Sequence, residues 1–107
     1  MPTSATPQTP PADVAAVRRR LARQLQERQD LLRELEPRAL PTVDPVAYQT
    51  AVSHRRIVDA ITAAIARLDG GTYGRCSHCR GPIAPGRLEA LPYADACIEC
   101  QSRHDAA

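Results

Sequence analysis

Apolar residues recur along the first two thirds of this chain at steps of three and four. Val14, Val17, Leu21, Leu25, Leu32 and Leu35 keep that rhythm with one break, at Arg28. At 3.6 residues per turn they share one face of a helix, so the spacing predicts a helix over residues 12–36. No Gly or Pro interrupts the run, and Pro37 ends it. Upstream, Pro10 and Pro11 suit a first helical turn, where a missing N–H costs nothing, and Asp13 lies near the positive end of the dipole. A second set, Tyr48, Val52, Val58, Ile61, Ile65 and Leu68, predicts a helix over residues 45–68. Asp44 is a good N-cap, Pro45 falls at the favoured first position, and Asp69-Gly70-Gly71 supplies a glycine at the C-terminal cap. Each helix would be roughly 36 Å long at ~1.5 Å per residue.

The stretch between them, from Pro37 to Pro45, holds three prolines and reads as a loop. Two helices of equal length, each with one apolar stripe and joined by a short loop, predict an antiparallel hairpin. Alanines at 51, 60, 63, 64 and 66 would let the two backbones approach closely. From Gly70 onward the pattern changes. All five glycines lie there, with Pro82, Pro85 and Pro92 among them. This predicts a compact, turn-rich module with two short strands and a final helical turn or two over residues 95–104. The expected organisation is a disordered tail over 1–11, where Pro, Thr, Ser, Ala and Gln bury nothing, a hairpin over 12–69 with its tip loop at 37–45, and the module over 70–107. The fold class is mostly α.

Composition narrows the function. The chain has 107 residues, only three aromatic side chains, all Tyr, and 18 alanines. A chain this small buries little apolar surface and often needs a metal or disulfides as a staple. A deep enzyme pocket with apolar walls is not expected. No apolar run approaches the ~20 residues that span a bilayer, and the N-terminal residues have neither the basic nor the apolar region of a secretory signal, so a cytoplasmic protein without membrane contact is expected. The net charge is +2, carried by 14 arginines and no lysine against 12 acids. Four thiolates holding one zinc ion would add a charge of −2 and bring the total near zero. A sequence-specific DNA binder usually keeps a basic face after such a correction. The run Arg18-Arg19-Arg20 reads as a solvated face.

The cysteines are the sharpest chemical signal. Cys76-x-x-Cys79 is followed, 17 residues later, by Cys97-x-x-Cys100. Each C-x-x-C turn aims two sulfurs at one point, about 2.3 Å from a metal, and two such knuckles complete a tetrahedron. With four thiolates bound, no position stays open for water or substrate, so the expectation is one structural zinc ion and no enzyme activity. Disulfides would need an oxidising compartment to which nothing directs this chain, and a thioredoxin-like pair would need a βαβ unit. A Cys3His site using His78 or His104 is open on spacing alone, although both read more simply as exposed neighbours, as does His54 in the second helix.

The run from Leu68 to Gln101 resembles the DksA/TraR family of C4-type zinc proteins. The matching positions are Tyr73-Gly74-x-Cys76-x-x-Cys79, Ile83, Arg87-Leu88-Glu89-Ala90-x-Pro92, Ala94-Asp95 and Cys97-Ile98-x-Cys100. The hairpin resembles the family's coiled coil in architecture. What the resemblance implies is a non-enzymatic transcription regulator that binds RNA polymerase directly. Its coiled coil would enter the secondary channel and act there through its tip. The alternative is a zinc-stabilised hairpin that serves as a protein–protein interaction module without regulating polymerase.

Three departures qualify that implication. The family's tip pattern Asp-x-x-Asp-x-Ala is matched here by Asp44, Ala47 and Gln49, so only the first acid is kept. Asp44 also has a sufficient explanation as a helix cap. The basic side chains with which the family contributes to a guanosine tetraphosphate site are replaced by Ala60, Leu91 and Gln101, none of which pairs with a phosphate, so that site is expected to be absent. Finally, the family's Gly after the first C-x-x-C is Arg80, with Gly81 one residue later. Either the first knuckle turns differently or Arg80 takes a left-handed conformation. Around the loop, Asp30, Glu34, Glu36 and Asp44 outnumber Arg33 and Arg38, giving that end a local charge of −2.

Overall fold

The structure is a computed structural model that describes residues 14–106. The expected tail over 1–11, and the start of the first helix with Pro10, Pro11 and Asp13, lie outside the described residues. Helix α1 spans Val14–Leu35, α2 spans Pro45–Gly70, α3 spans Pro85–Ala90 and α4 spans Ile98–Ala106; a 3-10 turn, Glu36–Arg38, follows α1.

Caps explain where the second long helix begins and ends. The Asp44 carboxylate accepts from the Ala47 N–H at 3.0 Å, with Pro45 in the first turn. At the other end Gly71 sits at φ 78°, and the N–H groups of Thr72 and Gly71 donate back to the Arg67 and Leu68 carbonyls at 2.9 and 3.3 Å. That pair of bonds is the Schellman arrangement, which needs a left-handed residue that glycine supplies without strain. It carries α2 two residues beyond the expected Leu68, to Gly70.

The two helices pack antiparallel, and partners on α2 fall in number as those on α1 rise. Leu21 packs with Ile61 and Ala64, Arg28 meets His54, and Leu32 packs with Ala51 and Ala39. Two apolar clusters are therefore separated by a polar layer at the very position where the stripe of α1 breaks. The Arg28 guanidinium, a donor only, lies 3.0 Å from His54 Nδ1. His54 is thus half-buried against the partner helix, not the plain surface residue expected from its place in the sequence. Close approach is made by Ala47, Ala51 and Ala64, while Ala63 and Ala66 face solvent on the opposite side of α2.

Beyond Gly71 the chain folds over the open end of the hairpin. Tyr73 and Tyr93 pack on the cluster of Leu21, Ile61 and Ala64. The Tyr73 hydroxyl donates to the Pro92 carbonyl at 2.8 Å, and Arg67 reaches the Tyr93 and Ala94 carbonyls at 3.5 and 3.3 Å. Burial pushes the Tyr73 pKa up, against the pull of Arg20 and Arg67. An ion pair joins Arg18 to Asp69 at the same end. The two expected strands are absent among the described residues, and a single antiparallel bridge joins Arg75 and Pro82. Proline has no N–H with which to continue a ladder, which limits the pairing to that one step. The short α3, unexpected from the sequence, starts with Pro85 in its first turn. The final helix starts three residues later than expected, at Ile98, and runs on to Ala106. The molecule measures 62 × 34 × 20 Å, a rod with the module at one end and the loop at the other.

Candidate functional site

Two local turns build the metal centre. In the first knuckle the His78 and Cys79 N–H groups point at Cys76 Sγ, at 3.4 and 3.5 Å. The Arg80 N–H closes the turn on the Cys76 carbonyl at 2.9 Å, and the Cys76 N–H donates to Gly81 at 2.8 Å. Arg80 takes φ 67°, the left-handed alternative that the missing glycine demanded. In the second knuckle, at the start of α4, the Cys100 N–H points at Cys97 Sγ at 3.5 Å. The knuckles are held together by the Ser77 N–H on the Asp95 carbonyl at 2.8 Å and by Arg87 Nε on the Ala96 carbonyl at 2.9 Å. Ile83 and Ala96 are buried against the sulfurs, with Leu88 beside them.

The four sulfurs lie within 4.8 Å of one another. Cys79 Sγ and Cys97 Sγ are 3.8 Å apart. A tetrahedron with metal–sulfur bonds of ~2.3 Å has sulfurs about 3.8 Å apart, whereas a disulfide needs about 2.05 Å. The cysteines are free thiols, and the donor set fits zinc. His78 and His104 line the exposed edge of the cluster without joining it. With all four positions taken by sulfur, a bound zinc ion has a structural role and no room for a substrate.

The electrostatics suit a metal thiolate. The N–H of Cys79, followed by those of Cys97 and His78, holds the Cys76 thiol down to about 5. Cys97 first, then burial, pushes Cys100 up to about 12. Four crowded sulfurs without a cation cannot all ionise, and Cys100 is the one whose thiol form is favoured. Zinc reverses this by displacing every thiol proton. Arg103 Nη2 donates to Cys100 Sγ at 3.2 Å and so offsets part of the −2 charge of a zinc tetrathiolate. Sequence reasoning passed over Arg103, although its position three residues after Cys100 on a helix was a usable signal.

The hairpin tip is the other candidate region. Of the three residues singled out there, Asp44 caps α2 and Gln49 is exposed, but Ala47 is 5% exposed and packed inside the hairpin. Of the three residues expected to replace the family's basic side chains, Gln101 is engaged with Asp105 at 3.0 Å, and Ala60 and Leu91 offer no charge. No helix among the described residues is long and apolar enough to cross a membrane.

Residues 71–106 match the family described as the prokaryotic dksA/traR C4-type zinc finger. An RNA polymerase-binding transcription factor DksA from Caulobacter vibrioides is 34% identical over 73 residues, covering 67% of this chain and 51% of that protein. One of the same name from Haemophilus influenzae is 40% identical over 48 residues, covering 45% of this chain and 33% of that protein. The chain thus spans about half or less of the length of these relatives. A solved structure of the transcription factor DksA2 from Pseudomonas aeruginosa superposes with a TM-score of 0.72 at 27% identity, covering 91% of this chain and 86% of that one.

Proposed function

The chain belongs to the DksA/TraR family of C4-type zinc-finger proteins, and from that premise we propose that it is a transcription regulator which binds RNA polymerase directly, with its hairpin inserted in the secondary channel. The observation that carries this reading is the shape of the molecule. Two long helices locked antiparallel form a narrow rod, and the finger grips one end while the loop stands free at the other. Zinc acts as a staple in this scheme and takes part in no reaction. The chain works by contact and is no enzyme, in the cytoplasm with the polymerase, without sequence-specific DNA recognition and without guanosine tetraphosphate.

Binding of the zinc-loaded protein to purified core polymerase, followed by single-round transcription with and without it, tests the reading. Retention on polymerase with a change in transcript yield is the expected result; failure to bind would overturn it. The altered tip favours one second reading, a hairpin module for another protein partner. A complex that forms without any effect on transcription would support it.

A further inference from the structure

The tip is apolar where the family pattern leads one to expect charge. Three large side chains within seven residues stand in solvent: Leu40 is 53% exposed, Val43 65% and Val46 76%. The charges of the same loop are consumed internally. Glu36 pairs with Arg55 at 3.4 Å, and Arg38 Nε pairs with Asp44 Oδ2 at 3.6 Å. The other carboxylate oxygen, Asp44 Oδ1, accepts the Ala47 N–H at 3.0 Å. Both oxygens of the remaining tip acid are therefore turned towards its own chain. The loop itself is held by the Val43 and Asp44 N–H groups on the Leu40 carbonyl, at 3.0 and 2.9 Å, so the exposed side chains project from an ordered turn.

We propose that the tip docks by apolar contact on an uncharged wall inside RNA polymerase, through Leu40, Val43 and Val46, while the Asp44 carboxylate stays out of the interface as a helix cap. This rests on the function proposed above. Charge complementarity favours an uncharged partner surface, because a charged wall would have to break two ion pairs and a cap to find an opposite charge. A second copy of the chain is a poor occupant. The three side chains together offer on the order of 300 Å² of surface, and a symmetric pair would bury about twice that, well below the ~1,200 Å² of a stable specific interface. A cleft that also grips the flanks of the rod has no such shortage.

The test uses the full zinc-loaded chain and purified core polymerase, with affinity read by fluorescence anisotropy and helicity by circular dichroism. Asp44→Asn removes the charge and keeps a cap of equal quality. It is expected to bind within about two-fold of the parent chain. Val43→Ser with Val46→Gln alters exposed side chains only, and is expected to weaken binding roughly ten-fold at unchanged helicity. The reverse order, with Asp44→Asn failing and the double variant binding normally, overturns the proposal. So does a concentration-dependent doubling of mass that the double variant abolishes, which would mean self-association. A parent chain that never binds polymerase removes the proposed function and this inference together, whereas the reversed order removes the inference alone.

Discussion

Arg80 is the one non-glycine among the described residues with positive φ, at 67°. A side chain in the left-handed region costs roughly 1–2 kcal/mol, because its Cβ crowds the following carbonyl. The knuckle tolerates this cost since the Arg80 N–H must reach the Cys76 carbonyl to close the turn. Replacing Arg80 by Gly is expected to stabilise the finger by about 1 kcal/mol. A higher Tm of the zinc-loaded protein checks this, and an unchanged or lower Tm would show that the arginine side chain has a compensating contact. Cys76 supplies a second prediction at this scale. Its thiol is held down to about 5 from an ordinary value of 9.0, so its thiolate adds stability that is complete only above about 9 and is lost progressively as pH falls towards about 5. Every ligand thiol must also shed its proton to bind zinc. Zinc retention is therefore expected to fall as pH is lowered, as followed with a chromogenic chelator.

At the level of elements, the hairpin is two apolar clusters with a polar layer between them, and the clusters differ in what they join. The one near the loop, around Leu32 and Ala51, ties α1 to α2 and to Ala39. The one near the finger, around Leu21 and Ile61, also seats Tyr73 and Tyr93. Both Leu21 and Ile61 are 0% exposed. Ile61→Ala is expected to cost about 2–5 kcal/mol, from lost burial plus the cavity left behind. The same change should speed zinc release to a competing chelator, because the two tyrosines pack on the cluster that it would disturb. Destabilisation with zinc release unaltered would mean that hairpin and finger fold independently.

On the scale of the whole molecule, metal affinity is part of the finger's folding free energy. Strong chelation is expected to unfold the region after Gly70 while most of the far-ultraviolet helical signal persists, because the cluster around Leu32 and Ala51 needs no metal. Simultaneous loss of all helicity would contradict this. The surface also bears on regulation. Ala60, Leu91 and Gln101 present no cation, and Gln101 is already engaged with Asp105. Any effect on transcription is expected to be unchanged by added guanosine tetraphosphate in the single-round assay. A several-fold enhancement would place that nucleotide at other residues.

Local rules reach far in this chain. Helix stripes, the Asp44 and Gly71 caps, Pro45 and the paired C-x-x-C turns each depend on neighbours within about one turn, so the sequence alone pointed to the hairpin, the caps of its second helix and the gathering of four cysteines. The left-handed turn at Arg80 was legible as one of two outcomes for the same reason. Long-range packing decided the rest. Only the pairing of α1 with α2 could turn the break at Arg28 into a polar layer with His54 and hide Ala47. The bridge at Pro82 in place of two strands, the seating of the tyrosines and the inward turn of the Asp44 carboxylate were likewise settled in three dimensions, because each depends on atoms that meet only after the chain has folded.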